Sequence, residues 1–376
     1  MSEVAKKVLF TSHVANFQKF NRPFMRWFKE QGYEVHYASD GEEVILDCDK
    51  QFTMPFERSP FSLNNIRAIG KLKKLIDDEG YDIIHTHTPM GSVVTRLAAR
   101  AARKKGTRVI YTAHGFHFFK GAPLQNWLIY YPIEKIMARF TDTLITINKE
   151  DFNRAKRNFR TEVQYVPGVG IDPEKFDVKM TAAQKTKLRK SLGLKSSDFV
   201  LLYPAELNKN KNQTMLIDAM CQLVGKYPNI NLLLPGMDSL SGYHRSLVEE
   251  RGVAHNIHFL GYRNDIPDLL KIADVSVSTS RREGLPVNIM EAMHLGLPIV
   301  VTDSRGNRDL ISNSETGFVV DNDDATGLAH RLVSIYTSKR TRDYISRNAQ
   351  KQSDQYSLAS IIDVMGVIYM QNETLE

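Results

Sequence analysis

The chain has 376 residues, 42% hydrophobic and 25% charged, with a net charge of +7. That length exceeds one ordinary core and suits two domains, and the composition is that of a soluble globular protein rather than a fibrous or disordered one. No stretch reaches the roughly 18 uninterrupted apolar residues of a membrane-crossing helix, and the opening MSEVAKKVLFTS lacks the apolar run of a secretory leader. Cys48 and Cys221 have neither metal nor disulfide spacing and read as reduced thiols. The expected location is therefore the cytoplasm, on the inner face of the membrane if the protein's surface holds it there.

The first half alternates strand and helix. KKVLFTS, YEVHYAS, YDIIHTHTP, TRVIYTAHG and DTLITIN read as strands. Residues 17–31, LNNIRAIGKLKKLIDDEG and SVVTRLAARAARKKG carry helical spacing. Between Asp82 and Glu134 there are 51 residues without an acid. They include Arg96, Arg100, Arg103, Lys104, Lys105, Arg108 and Lys120. Such a run suggests an anionic partner, although for any single residue a solvated helix face is the ordinary alternative.

The Pro- and Gly-rich VPGVGIDPEKF, 166–176, reads as a linker. A second alternating series follows, with strands in FVLLYPAEL, INLLLPG, NIHFLGY, DVSVSTS, LPIVVTDS and GFVVDN. The expected fold class is α/β, with two doubly wound Rossmann-like domains facing across a cleft. The expected divisions are 1–170, 171–355 and a C-terminal helix over 356–376 that can cross back to the first domain. Ligands of such sheets bind beyond the carboxyl ends of the strands.

The loops exclude several chemistries. There is no G-x-G-x-x-G, no G-x-x-x-x-G-K-[ST] and no G-x-S-x-G. His85 and His87 flank Thr86 at a strand end, but no carboxylate or cysteine nearby in sequence completes a metal site. What remains is SRREGLPVNIMEA, 280–292, whose Glu283 and Glu291 stand eight apart. Gly284 and Pro286 predict that a helix starts at Pro286 or Val287. Glu283 then lies in the loop before it and Glu291 more than one turn inside. The free N–H groups of Gly284, Leu285, Val287 and Asn288, with the helix dipole, suit a diphosphate. An anion between two hydroxyl-accepting carboxylates describes a nucleotide-sugar. A solvent-facing Glu291 is the ordinary alternative, weakened by its apolar neighbours Met290, Ala292 and Met293.

EGLPVNIMEAMHLGLPIV resembles the signature of the retaining glycosyltransferases of family 4, which have the GT-B fold, and specifically their bacterial capsular and exopolysaccharide branch. TSHVANF, HTHTPMGSVVTRLAAR, YTAHGFHFFKGAP, TDTLITINKEDF, YVPGVGID, ELNKNKNQ and HFLGYRNDIPDLLKIADV resemble that branch too, in this order, over about residues 7–350. The resemblance implies a catalytic set of His114, Lys211 and Glu283. Lys211 neutralises the donor diphosphate and His114 lies beside the transferred sugar. The implied donor-binding residues are Gly236, Tyr262, Arg263, Arg282, Gly284, Leu285, Pro286, Val287 and Glu291. Where the family often has a second phosphate-binding arginine, this chain has Glu206; Arg281, Arg282 and Lys209 are the replacements to consider. His13, Asn16 and His117 fall on the acceptor side.

The implied reaction is front-face transfer with retention, with no cofactor and no metal ion. The implied partners are a nucleotide-sugar (UDP-linked by expectation), a polyprenyl-diphosphate-linked saccharide and an anionic membrane surface, with no nucleic acid. Two alternatives remain: an enzyme like UDP-N-acetylglucosamine 2-epimerase, and a non-catalytic subunit of a polysaccharide assembly complex.

Overall fold

The computed structural model describes residues 5–177 and 179–371. They form two compact units, one of residues up to Val169 together with those from Ile361 onward, the other Gly170–Ser360. The sheet of the first unit has seven strands, β1 (Lys7–Thr11), β2 (Glu34–Ser39), β3 (Lys50–Thr53), β4 (Ile83–His87), β5 (Arg108–Ala113), β6 (Thr143–Thr146) and β7 (Glu162–Tyr165). They lie in the order β3-β2-β1-β4-β5-β6-β7, every pair parallel. The second sheet has β8 (Phe199–Leu202), β9 (Ile230–Pro235), β10 (Ile257–Gly261), β11 (Val275–Ser278), β12 (Ile299–Thr302) and β13 (Phe318–Val320). Its order is β10-β9-β8-β11-β12-β13, again all parallel. Both are doubly wound Rossmann-type sheets. Each reverses its strand order once, between β1 and β4 in the first and between β8 and β11 in the second, and such reversals are where ligands bind.

The central strands are apolar runs because helices cover both faces. β8 (FVLL) and β9 (INLLLP) are buried almost throughout. The helix Gln213–Leu223 lays Met215, Leu216, Ala219 and Met220 on that sheet. In the first unit, Phe10, Phe24, Phe28, Val35 and Tyr37 pack with Ile361, Met365, Ile368 and Tyr369 of the last helix, Leu358–Met370. Each fully buried side chain of this kind stabilises by about 1.5–3 kcal/mol. The helix is also tied by polar bonds: Arg108 donates to the Tyr369 carbonyl at 2.9 Å, and the Tyr369 hydroxyl meets His85 Nδ1 at 2.8 Å. Residues 372–376 of the expected C-terminal helix lie outside the described residues.

The acid-free run is not one basic surface. Arg96 is buried, its guanidinium 2.9 Å from Glu134 and stacked on Tyr111. Arg108 is buried as well. Arg103 pairs with Asp142 at 2.7 Å. Arg100, Lys104, Lys105 and Lys120 are exposed. Charge along the sequence misleads here because acids from later elements, Glu134 and Asp142, fold back onto these cations. Among the described residues no helix is long and apolar enough to cross a membrane.

Candidate active site

In the second unit, the loops after β8 and β11 flank the reversal of strand order and are laced together. The Lys211 N–H donates to Asn208 Oδ1 at 2.9 Å, and its carbonyl accepts from Tyr203 Oη and Thr279 Oγ1, both at 3.0 Å. Asn210 exchanges bonds with the other loop: its carbonyl accepts the Arg281 N–H at 2.8 Å and its side chain donates to the Arg282 carbonyl at 3.0 Å. The result is an ion pair, Lys211 Nζ to Glu283 Oε1 at 2.6 Å, between residues 72 apart in sequence. Both side chains are mostly buried, at 24% and 12% exposure, so solvent screens the pair only in part.

The following helix spans Val287–His294 with Pro286 before it. Asn288 donates to the Pro204 carbonyl at 3.1 Å and pins the helix start to the β8 loop. Among the described residues no protein acceptor takes the N–H groups of Gly284, Leu285, Val287 or Asn288. Glu291 lies inside this helix. Burial pushes its carboxyl up to about 7, offset slightly by the Lys175 charge, and no hydrogen bond to it is formed among the described residues. It is not a solvent-facing helix residue.

Of the three cations that could replace the family arginine, Arg281 is engaged by Asp323 at 2.6 Å. Arg282 and Lys209 carry no side-chain bond among the described residues. Glu206 is exposed and accepts from Ser239 Oγ. Gly236 has a reason of its own, since a Cβ there would lie 1.9 Å from the Ala205 carbonyl oxygen. Tyr262 is 70% exposed. Arg263 holds Asp265 at 2.7 Å, so its charge is already matched.

In the first unit, the reversal of strand order is lined by histidines. His85 and His87 share one face of β4, as residues two apart on a strand must, and their ring centroids are 4.2 Å apart. His114 follows β5. Its Nε2 lies 3.1 Å from His87 Nδ1. Burial lowers His114 to about 4 and His87 well below the usual histidine range. The turn Ala15–Phe17 places Phe17 edge-on to His114 at 4.8 Å, and Asn16 in the same turn is exposed. His13 donates its N–H to Thr88 Oγ1 at 3.1 Å, and burial followed by the Arg58 charge lowers its pKa. Gly91 leaves room for that approach, because a Cβ would stand 2.9 Å from His13 N. Thr88 itself holds φ at +63°, an uncommon state for a β-branched residue, of the kind that collects at functional sites. His117 stands apart: it stacks on Tyr130 at 4.6 Å and lines a separate small cavity with Tyr111 and Glu134.

Two family models match. "Glycosyl transferase 4-like" covers residues 7–148, and "Glycosyl transferases group 1" covers 184–352. EpsD of Bacillus subtilis, which carries a glycosyltransferase name, is 41% identical over 369 residues, 97% of each chain. The chain is a family 4 glycosyltransferase. It is also 29% identical to the Escherichia coli UDP-Gal:alpha-D-GlcNAc-diphosphoundecaprenol alpha-1,3-galactosyltransferase, over 91% of this chain and 87% of that one. Among solved structures, Anabaena HepE in complex with UDP and glucose superposes with a TM-score of 0.81 at 20% identity, covering 97% of this glycosyltransferase and all of HepE. That likeness gives the GT-B fold.

Sequence reasoning missed the residues that hold the site in shape. Asn208, Tyr203 and Thr279 fix Lys211, and His87 bonds His114. The only sequence signal for His87 was its place at a strand's carboxyl end in HTH. Nothing near it in sequence completes a metal site.

Proposed function

We propose that this glycosyltransferase moves a hexosyl or N-acetylhexosaminyl group, with retention, from a UDP-sugar to a polyprenyl-diphosphate-linked saccharide in capsule or exopolysaccharide synthesis. The observation that carries the reading is the Lys211–Glu283 pair beside a helix start with unclaimed N–H groups. A diphosphate set there replaces the carboxylate as partner of Lys211. Glu283 is then released to accept a hydroxyl of the transferred sugar. Arg282 takes the place of the second phosphate cation, and Glu291 accepts from the ribose hydroxyls. Negative charge grows on the departing diphosphate, and fixed cations and amides stabilise it without a divalent ion. The acceptor hydroxyl attacks from the face the diphosphate leaves, and a phosphate oxygen takes its proton. His114, neutral because it is buried, supplies a hydrogen bond rather than a charge. The named activity of the E. coli relative, a galactosyl transfer to a diphosphoundecaprenol-linked sugar, supports the donor and acceptor classes.

The acceptor's lipid requires contact with the inner leaflet. The helix Leu124–Met137 suits it better than the acid-free run as a whole. Leu124, Leu128 and Ile136 are 72%, 68% and 52% exposed, and at 100° per residue they share a broad face with the exposed Lys135. Lys120 before the helix and Arg139 after it are exposed too. Apolar insertion flanked by cations is the pattern of reversible attachment to an anionic surface.

The test is transfer from a panel of UDP- and GDP-sugars to a diphosphate-linked lipid saccharide in excess chelator, with the anomeric configuration read by NMR. An α-linked product from an α-linked UDP donor is expected. An inverted product, or a strict demand for magnesium or manganese, contradicts the mechanism. A free C2 epimer formed without acceptor establishes the epimerase alternative instead.

A further inference from the structure

His114 is an imidazole that burial keeps neutral, so what it can offer a substrate depends on which ring nitrogen carries its proton. The structure constrains that choice through His87. Only one proton can lie between His87 Nδ1 and His114 Nε2, 3.1 Å apart. If His114 Nε2 donated, His87 would have to carry its own proton on Nε2. That atom is buried and meets no polar partner among the described residues. A buried N–H without an acceptor is the rarer and costlier kind of orphan, whereas a bare ring nitrogen is better tolerated. The surroundings cannot rescue it by charging the ring, for Phe10 lies parallel to His87 at 6.4 Å, Phe17 packs at 5.5 Å, and His85 fills the next position. His85 is itself fully used, between Thr112 Oγ1 and the Tyr369 hydroxyl, each at 2.8 Å.

We propose that His87 is a positioning residue for His114: it donates from Nδ1 to His114 Nε2, fixes His114 as the Nδ1–H tautomer, and so gives the enzyme a neutral hydrogen-bond donor at the end of β5. No protein group among the described residues accepts from His114 Nδ1, and that atom is not among the buried unpartnered ones, so it is available to a ligand. An imidazole left to itself in water prefers its proton on Nε2. Without His87, His114 would therefore turn a lone pair, not a proton, toward a sugar hydroxyl or phosphate oxygen that needs a donor. The inference rests on the reading of His114 as the residue beside the transferred sugar, and it adds the device that makes His114 a donor.

Histidine-15N-labelled full-length protein tests it directly, since long-range nitrogen–proton correlations report which nitrogen of His114 is protonated. The expected result is Nδ1–H in the native enzyme and in His87→Asn, whose amide nitrogen stands where Nδ1 stood, and Nε2–H in His87→Leu. In transfer assays His87→Leu should lower kcat on the order of 100-fold, the scale of losing one preorganised donor. Its donor KM should stay within about twofold, and His87→Asn should recover most of the rate. A native His114 protonated on Nε2 overturns the proposal. So does native turnover in His87→Leu when His114→Ala is inactive. If His114→Ala itself turns over normally, the role given to His114 fails, while the tautomer measurement still decides whether His87 orients it. Should His87→Leu not fold, the native tautomer and the His87→Asn rate decide the matter.

Discussion

At the strand reversal of the second unit, Lys211 meets Glu283 in an ion pair of 2.6 Å; at that of the first, His87 meets His114 and burial keeps both rings uncharged. The wiring of the two sheets is the same, and the electrostatics differ. Formal charges with unclaimed N–H groups beside them are suited to an anion that arrives and departs. Neutral rings packed among Phe10, Phe17 and one another are suited to hydroxyls, where a charge would cost desolvation and contribute little. One fold thus supplies both kinds of surface, and the loops decide which.

Removing charge from the second unit should have the largest effect. Glu283→Ala should lower turnover by roughly 100-fold or more, the scale of losing one substrate contact at a preorganised site, and should cost some thermal stability because Lys211 loses a mostly buried partner. Lys211 would then lack its resting partner, but it keeps the Asn208, Tyr203 and Thr279 bonds to its backbone. Turnover within about threefold of native would remove Glu283 from the site, since it is far less than one donor or acceptor at such a position supplies.

Acid should expose the other half of the contrast. Burial pulls His85 and His114 down to about 3 and about 4, against 6.5 ordinarily, and His87 well below that ordinary value. Their folded values are depressed, so below pH 6.5 the unfolded chain binds more protons. Stability is then fully present above about 6.5 and is lost as pH falls toward about 4. Trp27 and Trp127, the two tryptophans, both lie in the first unit. Denaturant melts followed by tryptophan fluorescence should therefore show that unit weakening between about pH 6.5 and pH 5. A flat profile would mean that the histidines are not buried as a neutral set.

Much of this was legible in the sequence, and what was not has physical reasons. All six strands of the second sheet are legible, and β8, β9 and β12 are the continuous apolar runs of strands covered on both faces. In the first sheet β3 (KQFT) and β7 (EVQY) are not, since both are edge strands, short and polar, with little to bury. The start of the helix at Val287 followed from Gly284 and Pro286. The Lys211–Glu283 and His87–His114 contacts join residues 72 and 27 apart, and no local pattern reports such pairs. The acid-free run overstates its exposed charge for the same reason, as Arg96 finds Glu134 38 residues later.

The smallest effect concerns the exposed face of Leu124–Met137. Leu128→Asp should weaken binding to anionic vesicles about fivefold to tenfold, on the scale of about 1 kcal/mol for one group at a charged surface. Turnover on a short soluble acceptor should be unchanged. Equal loss on soluble and long-chain acceptors would mean that the helix serves the fold and not the membrane.

We propose that the second unit holds a nucleoside diphosphate by Lys211, free amides and Glu291. Calorimetric titration of UDP into the full-length enzyme, with chelator present, tests it most directly. Glu291 has its carboxyl raised to about 7 by burial. Accepting from both ribose hydroxyls, one on each oxygen, favours the ionised form, so affinity should be constant above about 7 and weaken as pH falls below it. Lys211→Ala should weaken binding by a further factor of at least about ten, as loss of a partly buried charge partner does. Glu291→Gln should flatten the pH dependence. UDP that binds Lys211→Ala as tightly as the native enzyme, or with an affinity indifferent to both pH and Glu291, would contradict the account.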